Sequence, residues 1–350
     1  MPQIADSSPA TVFPRLSWAE DLLVPALREA VGALPESESR VAGYHRGWCE
    51  ADGTPVVSAS GRGKAVRPAL TLLSAEAVGG SVHGALPGAV AVELVHDFTL
   101  LHDDVIDGDA LRRHRPAAWS VFGTPAAVLA GDALLVAAVR AVCDAPHGAA
   151  APAVRELVGA LLDLVEGQSL DVAFETAAEV SVAQYLAMAE GKTGSLMGCA
   201  CALGGLLSGA DGERVSGLRE FGRRLGVAFQ CADDLLGIWG RSARSGKPVG
   251  ADLVARKKSL PVVAALRSTD PAAERLRELY GSERSEHSWD AAELDVVREL
   301  VEKAGGRQAA EEEARRQLSA ALRALAYARP TPDAYRQLQE IAWAMVHRDS

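Results

Sequence analysis

Long segments rich in Ala, Leu, Val, Glu and Arg dominate the chain, separated by clusters of Gly, Pro and Ser. Alternating runs of Val, Ile, Thr and aromatic residues bounded by hairpin turns, the mark of strands, are scarce. The pattern predicts helices over 16–34, 65–79, 86–107, 117–143, 150–174, 181–208, 213–239, 259–268, 290–304, 307–328 and 332–347. Pro87, Pro152 and Pro261 fall near predicted helix starts, where a missing N–H costs little. Residues 1–14 read as a disordered N-terminus, 240–252 as a polar loop and 269–288 as a charged connection. The expectation for 15–350 is a single all-α domain, a helical bundle whose site lies in its core between facing helices.

Composition narrows the partners. Of 350 residues, 48% are hydrophobic, enough for a substantial core, and a formal net charge of −10 argues against a nucleic-acid binder. No apolar run approaches the roughly 20 residues of a membrane span, and the first residues lack a basic start followed by an apolar stretch. The five cysteines (Cys49, Cys143, Cys199, Cys201, Cys231) are scattered within apolar segments and read as reduced, buried thiols of a cytoplasmic protein. Cys199 and Cys201 are two apart, a spacing that suits neither a zinc knuckle nor a redox pair.

The chemistry concentrates in His102-Asp103-Asp104-Val105-Ile106-Asp107-Gly108-Asp109-Ala110-Leu111-Arg112-Arg113. On a helix, Asp103 and Asp107 share a face one turn apart, where two unneutralised carboxylates repel. A divalent cation between them removes that repulsion, and Mg²⁺ commonly takes one or two carboxylates plus substrate phosphates. The adjacent Arg112 and Arg113 offer planar, always-charged donors suited to diphosphate oxygens. Gln230-Cys231-Ala232-Asp233-Asp234-Leu235-Leu236-Gly237 repeats the acidic theme, with Gly at its fifth position. Basic residues in turn-like settings lie around both: Gly61-Arg62-Gly63-Lys64-Ala65-Val66-Arg67-Pro68, Gly191-Lys192-Thr193-Gly194, Gly246-Lys247-Pro248 and Arg256-Lys257-Lys258-Ser259-Leu260-Pro261.

These motifs, in this order from Gly61 to Pro261, resemble those of the trans-polyprenyl diphosphate synthases, in wording closest to actinobacterial members that make geranylgeranyl diphosphate. The resemblance implies an isoprenoid-synthase helical bundle, a homodimer, and three Mg²⁺ ions per site. The implied reaction condenses isopentenyl diphosphate with an allylic diphosphate. By the same resemblance Asp103, Asp107 and Asp233 ligate Mg²⁺, while Asp104 and Asp234 bond to metal-bound water. Arg112, Lys192, Lys247 and Lys257 are implied to hold the allylic diphosphate, and Lys64, Arg67, His96 and Arg113 isopentenyl diphosphate. Thr193 and Gln230 match positions near the reacting carbons, and Asp171 one facing the metal site. Arg219, Arg223 and Arg224, which the family pattern does not claim, read as a solvated face.

Gly237 stands where many members carry a third Asp, which puts one contact of the second motif in question. Product length in such enzymes follows bulk below the first acidic motif. Phe98 lies five residues before Asp103, about 7.5 Å down the helix axis and rotated about 140° from the Asp face. An aromatic there followed by the small Thr99 implies a C20 product, with farnesyl diphosphate as runner-up. Two other readings stay open on the same fold: a terpene cyclase, for which Lys64, Arg67 and Arg113 have no use, and a non-catalytic partner subunit.

Overall fold

The computed structural model describes residues 9–56, 65–145, 148–240, 250–281 and 289–347. Helices dominate: α1 (Pro9–Gly32), α2 (Glu36–His45), α3 (Val66–Ala77), α4 (Val82–Ile106), α5 (Ala118–Phe122), α6 (Thr124–Cys143), α7 (Ala150–Thr176) and α8 (Val182–Ala189). A π-helical turn (Glu190–Gly194) leads into α9 (Ser195–Leu207) and α10 (Gly212–Trp239). Then follow α11 (Ala251–Val254), α12 (Leu260–Leu266), α13 (Pro271–Gly281), α14 (Ala291–Lys303), α15 (Gly306–Tyr327) and α16 (Pro332–Val346). Among the described residues the sole sheet is an antiparallel pair, β1 (Leu111–Arg112) and β2 (Arg115–Pro116). The all-α expectation holds.

Several boundaries differ from the pattern, each for a local reason. Helix α1 begins at Pro9, inside the segment expected to be disordered; residues 1–8 lie outside the described ones. The predicted helix over 117–143 breaks at Gly123, whose φ of +88° no helix accommodates. Pro87 sits inside α4, not at its start, because the chain enters the helix at Ser81. Helices α2 and α13 were not expected at all. Two helices, α4 and α6, are by length and composition alone long and apolar enough to cross a bilayer, as core helices also can be. Two-thirds of the most apolar stretch of α4 is buried, and that helix carries Glu93, Asp97, Asp103 and Asp104.

The chain divides into two compact units. Unit one comprises 1–159, 199–219 and 325–340; unit two comprises 160–198, 220–324 and 341–350. In unit one α4 packs on α3 and α6, and α2 on α5 and α6. Arg214 closes two helix ends there: its guanidinium donates to the carbonyls of Ala77 (3.0 Å) and Val78 (3.3 Å) at the end of α3, and of Ala328 (3.1 Å) and Arg329 (3.0 Å) after α15. Terminal carbonyls lack intrahelical donors, and a cation suits the negative end of the helix dipole. Unit two has two apolar centres. One gathers Phe174, Tyr185, Met188, Val227, Cys231, Leu260 and Val263, and the other Ile238, Leu253, Val262, Leu276, Val297 and Val301. Among the cysteines, Cys199, Cys201 and Cys231 are buried free thiols, and burial pushes Cys201 up to about 12. Cys143 is exposed, against the expectation of burial.

Candidate active site

In unit one, polar side chains climb the otherwise apolar α4 in steps of three and four: Glu93, His96 and Asp97, then Asp103, Asp104 and Asp107. Asp103 is half-buried, and Asp107, the C-cap, is exposed; the Asp107 N–H donates to the Asp103 carbonyl at 2.8 Å. Both carboxylates lie at the C-terminal end of a 25-residue helix, where the macrodipole disfavours anions and favours a cation. Asp104 points the other way and is fully buried. Its Oδ1 accepts from Arg112 Nε at 2.8 Å and from Arg112 Nη2, while its Oδ2 has no hydrogen-bond partner among the described residues. Burial raises the Asp104 pKa more than Arg112 lowers it. Asp104 thus bonds to the Arg112 guanidinium through one oxygen.

The β1–β2 hairpin positions the two arginines. Its register pairs Arg112 with Arg115, leaving Arg113 and His114 as the turn, at φ +51° and +64°. Positive φ at both central residues matches the right-handed twist of a two-residue hairpin. Tyr44 Oη donates to the Pro116 carbonyl at 3.0 Å, and Arg115 lies over the Tyr44 ring, which anchors the hairpin to α2. His96 is pushed well below the usual histidine range, first by burial, then by the Arg67, Arg113, Arg46 and His45 charges. The charges of Arg67 and Arg113 thus act on the His96 imidazole and favour its neutral form; Lys64 lies outside the described residues.

Beneath them, Arg46 donates from Nη2 to Glu93 Oε1 at 3.0 Å and from Nη1 to Asp97 Oδ2, both acids being buried. The sequence reading missed this trio. Acids four apart inside an apolar helix are its signal. Phe98 is buried, with its ring edge-on to His102 at 4.8 Å. His102 donates from Nε2 to the Val128 carbonyl at 3.0 Å and lies where a Cβ on Gly131 would sit. Thr99 Oγ1 donates back to the His96 carbonyl at 2.7 Å.

In unit two the π turn carries Lys192 and Thr193. Single π turns inside α-helices are frequent at functional sites. Backbone contact holds this one in place: a Cβ on Gly167 would overlap Lys192 N, and one on Gly226 would stand 2.6 Å from Gly194 Cα. Arg223 closes it from α10, donating to Glu190 Oε1 at 3.0 Å (Nε) and 2.5 Å (Nη2). Arg219 likewise makes a two-pronged pair with Glu156, and Arg224 bonds Glu220. These arginines are paired and part-buried, not the solvated face expected of them. Lys192 Nζ donates to Asp171 Oδ2 at 2.5 Å.

From Thr193 a hydrogen-bonded chain runs inward. Thr193 Oγ1 donates to Gln230 Oε1 (2.8 Å), and Gln230 Nε2 donates to Asp234 Oδ1 (3.0 Å). Asp234 Oδ2 accepts from Tyr185 Oη (2.6 Å) and from the Leu260 N–H at the start of α12 (2.7 Å). Asp234 therefore fixes the Gln230 amide, orients Thr193 and satisfies an orphan helix donor. Three neutral donors suit a carboxylate, but burial dominates and raises its pKa; the nearby Lys257 lowers it. Tyr185 was missed, since a tyrosine in an apolar run carries no sign of its partner. Asp233, next to Asp234, is half-buried. A Cβ on Gly237 would overlap Asp252 Oδ2 and stand 2.6 Å from its Cγ. Lys247 lies outside the described residues.

Among the described residues no three His, Cys, Asp or Glu side chains are grouped to hold a metal by themselves. Asp103 and Asp107 on unit one, and by itself Asp233 on unit two, offer the few carboxylate oxygens that suit Mg²⁺, which keeps waters and shares substrate phosphates.

The polyprenyl synthetase family model matches residues 55–295. The chain is 46% identical to a geranylgeranyl diphosphate synthase of Mycobacterium tuberculosis, over 88% of this chain and 87% of the relative. It is 42% identical to a (2E,6E)-farnesyl diphosphate synthase of Mycobacterium bovis, over 100% and 98%. A crystal structure of a polyprenyl synthetase from Streptomyces coelicolor A3(2) superposes with a TM-score of 0.91 at 42% identity, covering 96% of this chain and 99% of that one. With a family model matched through both acidic motifs and relatives alike over nearly their whole length, the chain belongs to the polyprenyl synthetase family.

Proposed function

We propose that the protein is an Mg²⁺-dependent geranylgeranyl diphosphate synthase, elongating allylic diphosphates with isopentenyl diphosphate to C20. The observation that carries the reading is the 46% identity to a geranylgeranyl diphosphate synthase over 88% of the chain, and beside it stand the Arg67 and Arg113 charges that act on His96 in unit one. A cationic pocket of that kind serves a second diphosphate, which a cyclase does not bind. The family match running from 55 to 295 supports treating 15–350 as one prenyl synthase domain.

The reaction needs an allylic C–O bond to break, leaving a resonance-stabilised cation that the isopentenyl double bond attacks before a proton is lost. Asp103, Asp107 and Asp233 would hold Mg²⁺, which when bound supplies the positive charge that stabilises departing diphosphate. Arg112, oriented by Asp104, and Lys192, oriented by Asp171, bind the allylic diphosphate. Arg67, His96 and Arg113, with Lys64, bind isopentenyl diphosphate. Because Thr193 spends its proton on Gln230, its oxygen lone pairs remain to face developing positive charge. Phe98, buried against His102, sets the length limit, and Thr99 leaves room beside it.

Leu129 and Val136, exposed on α6, support self-association as a homodimer, and free cysteines support a cytoplasmic setting. The test is turnover of purified protein with Mg²⁺, isopentenyl diphosphate and dimethylallyl, geranyl or farnesyl diphosphate, with products analysed before and after phosphatase. A C20 alcohol appearing only after phosphatase is expected, with longer alcohols from Phe98→Ala. Farnesol as the end product moves the assignment to C15, and hydrocarbon released without phosphatase to a cyclase.

A further inference from the structure

Phe98 does not stand alone on its face of α4. His102 lies one turn further along the same face, and the two rings meet edge to face, with centroids 4.8 Å apart and planes at 70°. Phe98 is buried and His102 half-buried. The free motion of either ring is therefore limited by the other.

His102 is itself held from α6, which belongs to the same unit as α4. Its Nε2 donates to the Val128 carbonyl at 3.0 Å, and Asp132 Oδ1 lies 3.8 Å from the same nitrogen. Gly131 is what leaves that carbonyl within reach. Side chains on a helix tilt toward its N-terminus, so one at 131 would lie over the turn that carries residue 128. A Cβ there would overlap His102 Nε2 and Cδ2 and stand 3.4 Å from Cε1. Gly131 is buried inside a 20-residue helix, where glycine is less stable than alanine, and the imidazole fills the space a side chain would take.

We propose that His102 is a positioning residue for product length: it fixes the Phe98 ring edge-on, and Gly131 keeps open the place from which it does so. The length limit then depends on α6 as well as α4. Residue 131, which lies outside the metal and diphosphate sites described above, becomes a determinant of the product. This inference rests on the chain-elongation reading above, with Phe98 as its length limit.

The test is the carbon-number distribution of products that the full chain makes from dimethylallyl and isopentenyl diphosphates with Mg²⁺, measured after phosphatase, with thermal unfolding as the check on folding. His102→Gln keeps a donor for the Val128 carbonyl and removes the ring. Gly131→Ala keeps the histidine and displaces it. Each is expected to raise the share of products longer than C20 about two- to tenfold, the worth of one aromatic edge contact. In a Phe98→Ala background neither should lengthen the products further, because the ring through which they act is gone; a general loosening of the core would add to the effect of Phe98→Ala. Wild-type products from both single variants, while Phe98→Ala lengthens them, overturn this inference alone, and so does further lengthening in the Phe98→Ala background. Unchanged products from Phe98→Ala overturn the length reading and this inference with it. A wild type that forms no prenyl diphosphate overturns the functional reading itself.

Discussion

The two acidic motifs are built alike on their open side and differently behind it. Each sets a half-buried aspartate, Asp103 or Asp233, next to a buried one, Asp104 or Asp234. Behind the first stands a cation, the Arg112 guanidinium on a strained hairpin. Behind the second stand three uncharged donors, from Tyr185, Gln230 and the first N–H of α12. A guanidinium neutralises its carboxylate and needs only to stay near. Dipoles must be aimed, so the second motif depends on the packing that aims them. The fifth positions differ too: Asp107 caps its own helix, whereas Gly237 has no side chain and the Asp252 carboxylate lies against it.

The largest expected effect removes what the motifs share. Asp103→Asn and Asp233→Asn should each lower kcat by about 10²–10³-fold, as loss of one well-placed electrostatic group typically does, in steady-state assays at saturating Mg²⁺. The next separates them. Asp234→Asn leaves buried donors facing an amide and should cost about 2–4 kcal/mol in urea unfolding. Asp104→Asn should cost about 1 kcal/mol, because Arg112 is 26% exposed and rehydrates. Tyr185→Phe removes one of the three donors and should cost about 1–2 kcal/mol. A comparable cost for Asp104→Asn and Asp234→Asn would erase the distinction between cation and dipoles.

The smallest effect is read in pH. Burial raises both Asp104 and Asp234, so the folded state holds their protons more tightly than the unfolded chain. Their contribution to stability is full below the ordinary carboxylate pKa and is lost as pH rises through the raised values. The Asn variants should flatten that slope. His45 runs the opposite way. Its side chain is 2% exposed, 4.0 Å from Asp97, and burial together with Arg113, Arg46 and Arg112 lowers it from 6.5 to about 3. The unfolded chain takes up that proton first, so stability present above pH 6.5 declines as pH falls toward 3. His45→Gln should remove this part of the acid limb in chemical denaturation.

What could be read from the chain alone follows from how local each signal is. The long apolar helices and both Asp-Asp pairs are written in contiguous residues, and the structure has them where the pattern put them. Helix α2 was invisible because its buried residues, Val41 to Tyr44, are consecutive instead of periodic. Charge disguised α13, whose Ala273 and Leu276 nevertheless face an apolar centre. The π turn arises from backbone contact with Gly167, far off in sequence. The hairpin places Arg113 and His114 in a conformation that usually announces itself with Asn or Gly. The protein partners of Asp104 and Asp234 were not legible, because a carboxylate's partner is set by tertiary structure.

Arg214 bears on how the chain is made. The four carbonyls it gathers belong to Ala77, Val78, Ala328 and Arg329, and unit one also draws on residues 325–340. During synthesis, the end of α3 must wait through roughly 250 further residues, tens of seconds at typical elongation rates of about 5–20 residues per second. Unit one is begun before residue 160 and completed only once residues 325–340 have emerged, which leaves its nascent core in need of protection over that interval.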